Sequence, residues 1–313
     1  MLEDNKFNLY FAGIGCKAGL QRIRDRSCNQ LLSQLNDRRE IKKWVTYFQE
    51  HPECKSKLFI DSGAFSAHTK GKVVDVDDYI NFMNDIDQYV HVFAQVDKIP
   101  GVFGKPKTPE QLASAPKESW DNYLYMKDRV KSVDKLLPVF HQGEDFYWLR
   151  NMLEFTHEDG HHIPYIGISP ANDVSVKEKT KWLVEVFRVI KNSSNPDVKT
   201  HAFGMTSLHL LEQFPFTSAD STTWVMTAAN GNVLTKHGTI RVSEQTKSSA
   251  DHILQQAPSV VQSFEAYLNS YGFTLQEMID SADQRKVYHV EYLKKWCDNY
   301  KFRGYGIYMK SLI

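Results

Sequence analysis

Short apolar runs alternate along the chain with longer stretches in which apolar residues recur every three or four positions. The runs cover residues 9–13 (LYFAG), 58–61 (LFID), 90–97 (VHVFAQVD), 136–141 (LLPVFH), 165–169 (YIGIS), 200–204 (THAFG) and 217–220 (TSAD). Each has the length of a strand, and none alternates cleanly as a half-exposed strand would, so they read as strands buried on both faces. Helical spacing fills 76–86, 117–130, 146–155, 176–190 and 207–214, most clearly where Leu183, Val186, Phe187 and Ile190 share one face. Strand and helix in such regular succession predict a parallel α/β fold.

The residues at the strand ends separate a barrel from an open sheet. DSGAF, QVDKIPG, HQGE, ISPAND, FGMTS and ADSTTW each close or follow a run. A barrel brings all such ends to one rim, whereas an open sheet gathers its ligand-binding residues at a single crossover. The expectation is a (β/α)8 TIM-type barrel over residues 1–247. Seven strands are accounted for, and 233–242, around a turn at 236–238, is either the eighth or a separate hairpin. Over 248–313 the pattern becomes helical, at 259–271, 275–280 and 284–300, which predicts a helical C-terminal appendage packed on the barrel.

Composition sets limits on this picture. The 313 residues leave a remainder beyond a typical barrel of about 250. The 38 basic and 38 acidic residues cancel, so any contact with a polyanion must come from a local patch. The N-terminus lacks a basic start followed by an apolar core, and no apolar run reaches the ~18–20 residues of a membrane span. Cys16, Cys28, Cys54 and Cys297 form no CxxC pair and read as reduced thiols, so no cysteine-held zinc and a cytoplasmic location are expected.

The rim motifs carry the candidate chemistry. Asp61 opens DSGAF directly after a buried strand; it is either an acid facing a ligand or a cap for the next helix. Asp220 in TSADSTTW has the same two readings, and Asp97 is a third rim carboxylate. Gln142 can read the edge of a heterocycle, since an amide both donates and accepts, or it can brace a loop. Gly167 and Gly204 leave room or free backbone groups beside a ligand, or serve tight packing. With Ser62, Gly63, Phe65, Gly143 and Met205 they outline a site for a nitrogen-rich planar molecule. His157, His161 and His162 in THEDGHH suggest either a metal site or a solvated loop. No dinucleotide-binding or phosphate-loop motif is present, and no cofactor is expected.

The ordered set DSGAF, VD, HQGE, IGIS, FGMTS and SADSTTW resembles the tRNA-guanine transglycosylase (queuine tRNA-ribosyltransferase) family, a (β/α)-barrel family with DSGGF and QGG motifs and a late nucleophilic aspartate. Residues 229–242 (ANGNVLTKHGTIRV) also resemble that family's NGxxFTxxGxxxIR hairpin. The resemblance implies that Asp61 is the acid/base group and Asp220 the nucleophile. It further implies that Asp97 and Gln142 read the base while Gly167 offers backbone contacts to it. The flanks of Asp220 differ from the family's DxxxPTR, and only Cys297 stands where the tRNA enzymes carry a CxCxxC…H zinc site. In these respects the chain looks like the DNA-modifying branch, which includes phage-encoded members and inserts 7-deazaguanine derivatives into DNA. The implied partners are DNA, with tRNA as the alternative, and a free 7-deazaguanine base; for a phage-encoded member the compartment would be the host cytoplasm.

Two basic, aromatic-laced stretches are candidates for the polyanion. One, in the loop after the first strand, is Lys17, Arg22, Arg24 and Arg26; the other is Lys294, Lys295, Trp296, Tyr300, Lys301, Arg303, Tyr305 and Tyr308. Rival readings are a non-catalytic nucleic-acid-binding subunit, which would need neither aspartate, and a nucleoside or glycoside hydrolase with water as acceptor.

Overall fold

A computed structural model describes residues 7–101, 105–106, 108–171, 174–205 and 207–304. The chain opens with β1 (Asn8–Ala12), α1 (Lys17–Asp25), β2 (Asn29–Ser33), α2 (Gln34–Glu50) and β3 (Leu58–Asp61). It continues through α3 (Ala64–Thr69), α4 (Val76–Ile86), β4 (Val92–Ala94), α5 (Pro109–Lys127), β5 (Leu136–Leu137) and β6 (Val139–His141). Then come α6 (Phe146–Glu154), β7 (Tyr165–Ser169), α7 (Val176–Lys191), β8 (Lys199–Ala202), α8 (Leu208–Gln213), β9 (Ser218–Ser221) and α9 (Thr223–Ala229). A hairpin of β10 (Asn232–Thr235) and β11 (Gly238–Arg241) precedes α10 (Pro258–Asn269), α11 (Leu275–Asp280) and α12 (Ala282–Asp298).

The strands pair in the order β5-β4-β3-β2-β1-β9-β8-β7-β6, all parallel. Only Pro138 separates β5 from β6, and its carbonyl accepts from the Gly167 amide at 2.8 Å. A proline has no N–H for a ladder, so it divides one strand into two short pieces, and the sheet closes through that strand into an eight-stranded TIM-type barrel. The strand missing from the sequence pattern is β2; residues 232–241 are the antiparallel hairpin. Residues 17–26, read as a loop, fold instead as helix α1 and its C-cap, with Leu20 and Ile23 buried on one side and the Cys16 sulfur accepting from the Gly19 amide.

Side chains of a strand alternate between faces, and the barrel has a core on each. Inside lie Tyr10, Ala12, Leu31, Phe59, Val92, Ala94, Leu137, Val139 and Tyr165. Outside, against the helices, lie Leu9, Phe11, Leu32, Leu58, Ile60, Phe93, Phe140, Ile166, Ile168 and Ala219. Helix starts are fixed by short polar side chains. Asp75 accepts from the Asp78 amide before α4, and Ser175 and Glu178 form a reciprocal capping box at α7.

The C-terminal helices share the outer core, and α12 lies against α1, α9, β1 and the hairpin. It occupies the place of the outer helix that should follow the last barrel strand. The Arg285 guanidinium, 4% exposed, donates to the carbonyls of Ala228, Met278 and Ile279, the negative ends of α9 and α11. His289, fully buried, joins the Trp224 carbonyl (3.0 Å) to the Leu234 amide (3.1 Å); burial lowers its pKa to about 4, so it serves as a neutral bridge. Among the described residues no helix is long and apolar enough to cross a membrane.

Candidate active site

Parallel pairing puts the ends of β3, β4, β6, β7, β8 and β9 on one rim. Asp61 stands two positions beyond the inward Phe59, and Asp220 two beyond Ser218, whose hydroxyl meets the inward Tyr165. The period of two therefore turns both carboxylates into the barrel mouth. Register agrees: Asp220 lies opposite Tyr10, and Asp61 opposite Ser33.

Asp61 accepts from the Gly63 amide at 3.0 Å. Gly63 has φ +82°, and a Cβ there would lie 2.5 Å from Leu35, so glycine is required to turn the chain. Burial first, then the negative charge of Asp97, with a smaller push from Asp220, raises the Asp61 pKa to about 7 against the pull of the Gly63 hydrogen bond. Asp61 thus senses the charges of the other two rim carboxylates.

Asp97 is held by a residue absent from the sequence-based set. His141 Nε2 lies 2.9 Å from Asp97 Oδ2, and its Nδ1 lies 3.0 Å from Glu144 Oε1. Burial alone would lower this imidazole's pKa, but the hydrogen bonds and charges of its two carboxylates outweigh that and raise it to about 10. With a pKa of about 10 the imidazole is protonated at neutral pH, a cation between Asp97 and Glu144, and the Asp97 charge is one of the causes that raise Asp61. The motif HQGE contained both His141 and Glu144; their spacing of three across a turn was the available signal.

Asp220 Oδ1 accepts from the Gly204 amide at 2.8 Å and lies 3.3 Å from His201 Nε2. His201 is fully buried among the rings of Tyr10, Phe59 and Phe203, and burial lowers its pKa despite the pull of Asp220. Its Nδ1 lies 2.5 Å from Ser218 Oγ, which also meets the Tyr165 hydroxyl. None of these three was singled out from the sequence, although a histidine inside the buried run THAFG is itself unusual.

The other rim positions divide by partner. Ser62 is fully buried, its hydroxyl accepting from the Ala64 amide and its carbonyl from Gln34. Gln142 accepts the Ala171 amide at 3.1 Å and so braces the loop after β7. At Gly167 a Cβ would lie 2.5 Å from the Phe203 ring and 2.8 Å from Leu137, so its absent side chain serves packing across the barrel interior. Met205 is buried in the outer core. Gly143 is exposed at the turn after β6. Phe65, 57% exposed, and Ile14, 46% exposed, offer apolar surface at the rim.

The proposed nucleic-acid contacts do not gather there. Lys17 begins α1 near the rim, but α1 runs back to the opposite end of the barrel. At that end Arg22 and Arg26 pair with Glu291 at 2.6 and 2.8 Å, and Arg24 pairs with Glu40 while lying over the Trp44 ring. Lys294 pairs with Asp298, Lys295 lies over Tyr271, and Arg303 pairs with Glu212. Trp296 and Tyr300 pack on Phe7, Lys301 is exposed, and Tyr305 and Tyr308 lie outside the described residues. His157, His161 and His162 contact Tyr123, Asp159 and the Phe155 carbonyl in turn, and no metal-ligating cluster occurs among the described residues.

Comparison with family models and with curated proteins gives no match.

Proposed function

We propose that this barrel is a pentosyltransferase that exchanges guanine in a nucleic acid, DNA before tRNA, for a free 7-deazaguanine. The observation that carries the reading is the placement of two inward carboxylates with different surroundings on one rim. Asp61 has a pKa of about 7, suited to giving and retaking a proton, whereas Asp220 accepts from the Gly204 amide and lies beside His201 Nε2. The rim motifs that resemble the transglycosylase family supply the substrate class.

The chemistry is a double displacement. The target guanosine leaves the stack, at a cost of a few kcal/mol. An Asp220 oxygen bonds to C1′ as the C1′–N9 bond breaks, and the departing guanine takes a proton from Asp61. The 7-deazaguanine then enters, gives its N9 proton to Asp61 and bonds to C1′, and the ester electrons return to Asp220. Phe65 and Ile14 give the extruded base apolar surface at the mouth.

The test is incubation with a radiolabelled 7-deazaguanine and, separately, duplex DNA, single-stranded DNA and tRNA. Label should enter a nucleic acid with the wild-type protein and fail to enter with Asp220→Ala at retained fold. Withholding the incoming base should leave a denaturation-resistant protein–nucleic acid adduct. Absence of label from every acceptor, or equal incorporation by Asp220→Ala, would refute the assignment.

A further inference from the structure

Behind Asp220, away from the open mouth, lies a row of polar groups that the displacement chemistry does not itself require. Tyr165, Ser218, His201 and Asp220 touch in sequence. All four are buried, at 7%, 0%, 0% and 7% exposure, and the faces of His201 are closed by aromatic rings. Groups so enclosed must satisfy one another.

Counting hydrogens orients the row. A carboxylate only accepts, so His201 Nε2 carries hydrogen toward Asp220. In a neutral imidazole Nδ1 then has a lone pair, and the hydroxyl that faces it, Ser218, donates. Ser218 Oγ in turn accepts from the Tyr165 hydroxyl. Every hydrogen has one acceptor. A protonated His201 would make Ser218 an acceptor toward Nδ1 and leave one hydroxyl hydrogen, that of Ser218 or of Tyr165, without an acceptor in the row.

We propose that Tyr165, Ser218 and His201 form a one-way hydrogen-bond chain that positions Asp220 and stabilises it as nucleophile and as leaving group. The proposal rests on Asp220 being the nucleophile. His201 Nε2–H and Gly204 N–H both grip Oδ1, which assigns Oδ2 to the attack on C1′. In the ester, Oδ1 is the carbonyl oxygen. When the C1′–Oδ2 bond breaks and its electron pair returns to the carboxylate, the same two donors receive the charge. His201, Ser218 and Tyr165 are positioning residues: they touch neither the sugar nor the base.

Two measurements test this. In steady-state base exchange, His201→Phe should lower kcat on the order of 10²-fold with KM nearly unchanged. His201→Gln, which retains an amide donor toward Asp220, should restore part of the loss, and Ser218→Ala should fall between. Full kcat in His201→Phe while Asp220→Asn is inactive would overturn the chain and leave the functional reading intact. Wild-type exchange by Asp220→Asn would overturn that reading and the catalytic role with it. The second measurement needs no activity: nitrogen-15 NMR of the wild-type imidazole should show the Nε2–H tautomer at neutral pH. An Nδ1–H or doubly protonated ring would refute the chain directly.

Discussion

At the residue scale, the site works by assigning protons. The His141 imidazole, its pKa raised to about 10, pairs with Asp97, and the Asp97 charge helps hold the proton on Asp61. Because the Asp61 pKa rises from 3.8 unfolded to about 7 folded, the native state binds the extra proton. Stability therefore falls as pH rises between about pH 4 and pH 7, and the deficit stays constant above that. Asp61→Asn lacks this deficit. Its unfolding free energy in urea should exceed that of the wild type by a margin that grows over the same interval and then levels off, while the proposed base exchange is lost. A margin independent of pH would show that Asp61 is an ordinary surface carboxylate. Asp61, Asp97 and Asp220 were legible in the sequence because acids at the ends of apolar runs are conspicuous. His141 and His201 were not, since their role depends on partners 44 and 19 positions away.

At the element scale, the strands that were easiest to read are those with continuous apolar runs. The strand β2 (NQLLS) escaped because its flanks are polar and Gln30 is buried within it, its amide donating to the Gly13 carbonyl and accepting from Trp44. Such a glutamine is apolar in effect but not in composition. The segment after Asp220 shows the converse. SADSTTW looks like a rim motif, yet Trp224 is fully buried, and its indole N–H donates to the Ala12 carbonyl at 2.9 Å. Gly15 and Gly19 make room for that ring; a Cβ on either would lie 2.5 and 2.7 Å from it. Trp224→Ala should therefore lower stability by about 3–5 kcal/mol, read from denaturant midpoints. A loss below about 1 kcal/mol would mean the indole contributes little to anchoring α9 on β1.

At the scale of the whole molecule, periodicity identified the barrel and the helices after residue 248 but not how they close. A sequence pattern gives a helix its apolar face without naming the surface that face meets. α12 meets α1, α9 and β1, while Cys297 donates to the Phe7 carbonyl and Phe7 stacks on Tyr300. A chain ending at residue 247 would expose this seam. It should be aggregated or lack a cooperative thermal transition by circular dichroism, whereas a monomer of 1–247 with native-like melting would establish the barrel as autonomous.

The Arg22–Glu291 pair joins groups 269 positions apart, across the same junction that brings β1 beside β9. Contacts of such long sequence separation form late, because loop closure must precede them. During synthesis on the ribosome, β1 must wait, unpaired on one edge, until the chain has emerged as far as Ser218–Ser221. The rim that carries both Asp61 and Asp220 is complete only once β9 has paired, and until then β1 keeps an unpaired edge of the kind that invites association.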